Sequence, residues 1–144
     1  MNGLRWSAGA GAAMLLASLG SAGAAQASPN RGIEARTLAQ SVVDGQQYVT
    51  RELTIAPGGS TGWHWHEVQV FGLVRAGTLT HDKADCSSDG IYQAGAPITE
   101  GSGPGEVHIG RNLGSDPVVL WVLYIGPAGA PLATDAPNPG CPFE

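Results

Sequence analysis

The chain has 144 residues, a formal net charge of -5 and only 13% charged residues. It contains no run of basic residues, which argues against nucleic-acid binding. The 22 glycines and 10 prolines predict many turns between short strands rather than long helices.

Residues 1–27 have the layout of a secretory signal peptide. Arg5 supplies a positive charge, residues 8–19 form an apolar stretch, and Ala25-Gln26-Ala27 is a cleavage signal, with a second cut site at Ala22-Gly23-Ala24. The apolar stretch is too short for a membrane span, although an uncleaved anchor is the alternative. We therefore expect a secreted or cell-envelope protein without stable membrane insertion after signal cleavage.

The mature chain is predicted to be one domain. Residues 28–45 form an N-terminal leader with a possible first strand at 33–43, residues 46–125 form a barrel, and residues 126–144 form a C-terminal tail. In residues 46–55, Val49, Leu53 and Ile55 share one face of a strand, which Pro57-Gly58-Gly59 is expected to end.

A second strand is predicted at residues 62–75 and contains two of the four histidines. His64 and His66 stand at i and i+2, so they project from the same face of a strand. Trp63 and Trp65 fall on the other face, where packing or dimer contacts are expected. Because His is the commonest metal ligand, the pair predicts half of a metal site; two histidines in a metal-free polar pocket are the alternative.

The remaining pattern is also all-β. Short strands are predicted at residues 78–82, 90–92, 96–98 and 106–112, and residues 118–125 form the most hydrophobic run of the mature chain, typical of a buried strand. His108 lies in the fourth of these segments. His81 lies beside Asp82 and Lys83 and is interpreted as a surface residue. About eight short strands favour a sandwich or jelly-roll barrel with little or no helix outside the signal peptide.

Cys86 and Cys141 are the two cysteines of the chain, and both follow the signal. In an exported protein an even pair is most simply a disulfide. This bond would join the C-terminal tail to a loop in the middle of the fold. The competing interpretation is that the cysteines bind metal together with the histidines.

With these residues the sequence resembles the cupins, small jelly rolls built as a double-stranded β-helix. Their first motif, G-x5-H-x-H-x3,4-E-x6-G, is matched at Gly58, His64, His66 and Gly77, and their second, G-x5-P-x-G-x2-H-x3-N, at Gly105, His108 and Asn112. The sequence is also similar to small exported actinobacterial single-domain cupins, which carry a mid-chain Cys and a Cys-Pro-Phe tail. The resemblance implies the cupin fold and a metal site formed by His64, His66 and His108.

The resemblance fails at one metal ligand. The glutamate of the first motif should fall at position 70, where this chain has Val70. Three neutral histidines suit a divalent transition metal, Fe, Zn, Ni, Mn or Cu, better than Mg or Ca. Glu106 stands two residues before His108 and is a candidate ligand or acid/base group, whereas Glu67 and Gln69 have the wrong parity.

Three functions follow as hypotheses. The first is a secreted metal-binding cupin of unknown specific activity, and the second is a metal-dependent enzyme of the cupin dioxygenase or isomerase type. The third is a metal-free barrel that binds a small ligand or serves a structural role. A small-molecule ligand and a homodimer fit all three, and no catalytic residue is assigned beyond the candidate Glu106.

Overall fold

The structure is a computed structural model that describes residues 26–144, so the predicted signal peptide lies outside the described residues except for its last two positions. Within that range the chain forms strands and no helix. There are ten strands: β1 (Arg31–Val43), β2 (Gln46–Ser60), β3 (His64–Trp65), β4 (Gln69–Ala76), β5 (Thr78–Lys83), β6 (Ser88–Gln93), β7 (Pro97–Glu100), β8 (His108–Arg111), β9 (Val118–Pro127) and β10 (Thr134–Asp135). The all-β prediction is confirmed.

The strands form one strongly curved sheet, closed almost into a barrel. Its path runs β10-β3-β8-β2-β9-β4-β7, with β1 added to β2 and the β5–β6 hairpin added to β8. All pairings are antiparallel, and the longest joins β2 to β9 from Gln46↔Pro127 to Ile55↔Val118. This topology brings β3, β5, β7 and β8 around one end of the barrel.

Two strand predictions need correction. β2 does not end at Pro57-Gly58-Gly59 but continues to Ser60, because Gly58 takes a positive φ of 72° and a register shift in β1 accommodates the irregularity. The predicted strand at 62–75 is two strands, β3 and β4, separated by residues 66–68. Its apolar positions nevertheless face inward after the break, since Val68, Val70 and Val74 are buried.

The main core fills the barrel with branched aliphatic side chains. Strands β2, β4 and β9 supply most of it, and its buried members are Val49, Ile55, Val68, Val70, Val74, Leu79, Ile98, Val118, Leu120, Val122 and Tyr124. The prediction of a buried strand at 118–125 is confirmed by the alternating burial of β9. Gly77, the last glycine of the first motif, has a φ of 74°, and a Cβ there would lie 2.5 Å from the Pro117 carbonyl oxygen.

A second, smaller core is formed by the C-terminal tail. Trp63 is fully buried and clusters with Ile109, Ala136 and Cys141, and its ring stacks on Phe143 with centroids 5.9 Å apart. Trp63 therefore has the packing role expected for it, and the tail supplies the cover. The tail is also more regular than predicted, since β10 pairs with β3.

The predicted disulfide is present and joins Cys86 to Cys141 across 55 residues of sequence. It connects the loop between β5 and β6 to the tail that covers Trp63. The interpretation of the cysteines as metal ligands is thereby wrong. Among residues 26–144, no helix has the length and apolar character needed to cross a membrane.

Candidate metal centre

Three histidines meet at one end of the barrel because β3 and β8 are neighbours. His64 and His108 are directly paired across these strands, and His66 is the residue directly after β3. All three are buried. Their ring centroids lie 4.4 Å apart for His64 and His108, 4.8 Å for His64 and His66, and 5.1 Å for His66 and His108. One ring nitrogen of each lies within 4.8 Å of the others, a spacing at which one metal ion can be held.

Backbone carbonyl groups fix the orientation of all three rings. The Nδ1 atoms of His64, His66 and His108 lie 2.9, 2.6 and 2.7 Å from the carbonyl oxygens of Gly62, Leu132 and Glu106, respectively. A carbonyl oxygen only accepts, so Nδ1 must carry the proton in each ring. In the neutral form Nε2 is then left with a free lone pair, the state in which imidazole binds metals.

Burial keeps His64 in this neutral form. Burial, together with the neighbouring His108 and His66, lowers the pKa of His64 to about 3. A protonated imidazole cannot bind a metal, so a depressed pKa removes the competition between protons and metal at neutral pH.

The metal-free protein should therefore lose stability on mild acidification. Between pH 6 and 5 the unfolded chain protonates His64 and the native chain does not, so the free energy of unfolding should fall as the pH falls. The contribution approaches about 1.4 kcal/mol per pH unit. Urea denaturation in the presence of a chelator measures this slope, and His64→Asn should remove the contribution. Equal slopes for both proteins would contradict a buried neutral His64.

A carboxylate that the sequence did not single out completes the cluster. Glu100, at the end of β7, places Oε2 2.9 Å from His66 Nε2 and 3.5 Å from His108 Nε2, and Oε1 3.3 Å from His81 Nε2. None of these approaches meets the combined distance and angle of an N–H···O hydrogen bond, and within residues 26–144 the three Nε2 atoms have no hydrogen-bond partner. Burial alone would raise the pKa of Glu100, but the contacts with His108, His66 and His81 hold it well below its usual value.

His81 is not a surface residue, and its interpretation from sequence is wrong. It is 4% exposed, its ring lies 4.8 Å from that of His108, and its Nδ1 lies 2.7 Å from Asp89 Oδ1. Burial lowers the pKa of His81, but Glu100 and Asp89 outweigh burial and raise it overall. His81, Glu100 and His108 form a second group with metal-binding spacing that shares His108 with the first.

The other polar candidates lie outside this cluster. Glu106 is exposed, because the chain is not yet in a regular strand at this position and the parity with His108 does not hold; only its backbone carbonyl contacts His108. Glu67 is exposed as expected, and Gln69 donates to the Glu100 carbonyl oxygen. Tyr124 packs in the core with its ring 5.9 Å from that of His66, and burial raises its pKa to about 12.

The cluster separates two cavities of different size and polarity. An open outer cavity of about 330 Å³ is lined by His81, Glu100 and His108 together with Lys83, Asp89 and Glu106. An inner cavity of about 40 Å³, lined mainly by aliphatic core residues, reaches His64, His66 and Tyr124. The inner space holds only water-sized molecules, whereas the outer one is in the size range of small-molecule sites.

The donor set fits a transition metal. Three neutral imidazoles with fixed rings and a nearby carboxylate are the ligands that Zn and divalent Fe, Ni, Mn or Cu accept. When bound, such an ion supplies a Lewis acid or a redox centre. The residues of this chain supply the fixed lone pairs, the negative charge of Glu100 and access from the outer cavity.

Comparison with solved structures relates this barrel to the cupins. The polyketide cyclase RemF from Streptomyces resistomycificus aligns with a TM-score of 0.61 and 20% identity, over 78% of this chain and 79% of that chain. The cupin-2 domain Rru_A2000 from Rhodospirillum rubrum aligns with a TM-score of 0.57 and 14% identity, over 74% and 66% of the two chains. A cupin 2 conserved barrel protein from Salinispora arenicola gives 0.54 and 18%, over 78% and 89%.

No model of a protein family matches the sequence, and no curated protein matches it. Identities of 20% or less relate the proteins by fold and not by activity. The fold nevertheless agrees with the two histidine motifs, since both place their histidines at the same end of the barrel. The described part of this chain therefore has the fold of the cupin barrel.

Proposed function

We propose that the mature protein is an exported cupin that binds one divalent transition metal ion through His64, His66 and His108. The observation that carries this proposal is the set of three backbone carbonyls that accept from the Nδ1 atoms. A polar pocket without metal has no need for three rings that all turn an unprotonated nitrogen inward. The Nε2 atoms of His66 and His108 are buried and have no hydrogen-bond partner among residues 26–144, a state that costs free energy unless a metal ion satisfies them.

Export is part of the same proposal. The signal layout of residues 1–27 and the disulfide between Cys86 and Cys141 both favour an oxidising compartment. The expected mature chain starts at Ser28, so metal binding is to be measured on protein recovered from outside the cytoplasm. Intact mass identifies its first residue, and a mass that begins at Met1 would argue against signal cleavage and favour the uncleaved anchor.

Metal content tests the proposal directly. Elemental analysis of the purified mature protein should find close to one equivalent of a single transition metal, either as isolated or after loading of the chelated protein. The variant His64→Ala/His108→Ala should bind none, because it removes two of three fixed donors. Glu67→Ala is the matched control, since Glu67 is exposed beside His66, and it should retain the metal. A wild-type protein that binds no metal after loading would contradict the proposal and favour the metal-free barrel.

The outer cavity favours a metal-dependent enzyme as the second candidate function. It reaches His108 and Glu100 from solvent, so a small substrate has access to the proposed metal. Iron as the native metal would direct the search to oxygen consumption with small thiols and diketones. Zinc, nickel or copper would direct it to hydrolysis, isomerisation or metal handling. Turnover that disappears in His64→Ala/His108→Ala would establish this candidate.

A further inference from the structure

We infer that Glu100 is the fourth protein ligand of the proposed metal site and that His81 and Asp89 hold it in place. The inference rests on the proposed three-histidine site and adds a ligand from a different strand. In the cupin motif the carboxylate belongs to the histidine segment itself, at the position that Val70 occupies here. In this chain the carboxylate is supplied by β7.

The register between β4 and β7 explains how a carboxylate at position 100 can replace one at position 70. β7 pairs with β4, and in that ladder Glu100 stands directly opposite Val70. Directly opposed residues of an antiparallel pair project from the same face, with Cβ atoms about 5 Å apart. Glu100 therefore reaches the same space from the neighbouring strand, while Val70 joins the aliphatic core.

The distances from Glu100 Oε2 to the histidine nitrogens fit ligation of one shared ion. Two ligand atoms that each lie about 2.1 Å from one metal are separated by roughly 3.0 Å in an octahedral site and roughly 3.4 Å in a tetrahedral one. Glu100 Oε2 lies 2.9 Å from His66 Nε2 and 3.5 Å from His108 Nε2. Among residues 26–144 these nitrogens have no hydrogen-bond partner, as expected when ligand atoms surround a metal ion instead of bonding to each other.

The second carboxylate oxygen of Glu100 contacts a different side chain, His81, which in turn bonds to Asp89. Oε1 faces His81 Nε2 at 3.3 Å, and His81 Nδ1 lies 2.7 Å from Asp89 Oδ1. His81 therefore lies between two carboxylates, bonded to Asp89 and in contact with Glu100, and the imidazole acts as a spacer between them. Such outer partners orient a ligand, and their loss typically lowers metal affinity 10- to 100-fold. Asp89 and His81 are positioning residues in this arrangement.

The role of Glu100 is tested with Co²⁺ as the probe, in competition with a chromophoric chelator. Glu100→Gln keeps the shape of the side chain and removes its charge, so affinity should fall at least about 100-fold, beyond the range of an outer partner. The visible absorption of bound Co²⁺ should change, because a ligand is altered. Affinity and spectrum equal to those of the wild type would overturn the inference while leaving the three-histidine proposal intact.

An exchange of the paired positions provides a second test. Val70→Glu/Glu100→Val returns the carboxylate to the motif position and should recover affinity relative to the single variant Glu100→Val. Failure of the double variant to fold leaves the comparison of Glu100→Gln with the wild type decisive. A folded double variant whose Co²⁺ affinity does not recover would contradict the inference that side chains at positions 70 and 100 reach the same metal site.

The positioning role of Asp89 is tested against Asp85. Both aspartates lie between β5 and β7 and line the outer cavity, but Asp85 bonds to Ser87 and not to His81. Asp89→Asn should lower Co²⁺ affinity about 10-fold, whereas Asp85→Asn, with the same change of charge, should stay within about twofold. In a Glu100→Gln background, Asp89→Asn should have no further effect, since it acts through Glu100.

Two results would overturn this half of the inference. One is an equal loss of affinity in Asp89→Asn and Asp85→Asn, which would show a general effect of charge. The other is a His81→Gln variant that loses as much affinity as His66→Ala, with a Co²⁺ spectrum that reports a lost nitrogen ligand. His81 would then bind the metal itself. A wild-type protein that binds no Co²⁺ would instead remove the proposed function together with the inference.

Discussion

Replacing Cys86 and Cys141 by serine is expected to lower the free energy of unfolding by about 4 kcal/mol. The bond closes a loop across 55 residues, and the chain-entropy model assigns roughly this amount to a loop of that length. For a domain of this size 4 kcal/mol is a large share of the total stability. Urea denaturation of the mature variant and of the wild type measures the difference.

The serine variant keeps the backbone strain that the wild type has at position 86. Cys86 has a φ of 67°, a strained conformation for a residue with a Cβ, and serine retains that Cβ. The strain is therefore present in both proteins and cancels in the comparison. The m-value should rise in the variant, because the unfolded chain is no longer cross-linked and exposes more surface. A loss of less than about 1 kcal/mol would mean that the bond constrains the unfolded chain little.

Trp63→Ala is expected to have an effect of similar size, about 3–5 kcal/mol. The indole is fully buried between β8 and the tail, where it contacts Phe143. Its removal leaves a large cavity in a small core whose other buried members are Ile109, Ala136 and Cys141. Those few side chains cannot collapse far enough to fill it, partly because the disulfide restrains Cys141.

Two control substitutions separate packing from other effects of the Trp63 change. Trp121 is 40% exposed on the outer face of β9, bonded to Glu52 and stacked under Arg75, so Trp121→Ala should cost about 1 kcal/mol. Trp63→Phe should cost less than Trp63→Ala, because within residues 26–144 the indole nitrogen has no hydrogen-bond partner to lose. Equal losses for Trp63→Ala and Trp121→Ala would show that the tail core contributes little.

The parts of the fold that the sequence predicts best are those with regular alternation. β9 and the first half of β2 follow the pattern of period two, because one face of each lies on the barrel core. The prediction failed where glycine changes the backbone, since Gly58 carries β2 through a Pro-Gly-Gly segment that normally ends a strand. It also failed at β10, because this strand pairs with β3 from a distant part of the chain and no local pattern marks it.

The candidate site likewise contains residues that the sequence predicts and residues that it does not. His64, His66 and His108 are identified by motif spacing, but Glu100 depends on the register between β4 and β7, which no spacing along one strand contains. A signal was nevertheless present for His81, because it stands two residues after Leu79 on β5 and so shares its inward face. Glu100 likewise stands two residues after Ile98 on β7. The predicted strand ended at residue 98, before Glu100, and the polar neighbours Asp82 and Lys83 indicated a surface position for His81.

The bond between His66 Nδ1 and the Leu132 carbonyl has a consequence for the order of maturation. Leu132 follows His66 by 66 residues in the chain and lies in the C-terminal tail that the disulfide joins to the barrel. The ring of His66 therefore takes its orientation only once this late-synthesised tail has packed. Under the proposed export, the set of metal ligands would be completed outside the cytoplasm, and the choice of metal would depend on the ions available there.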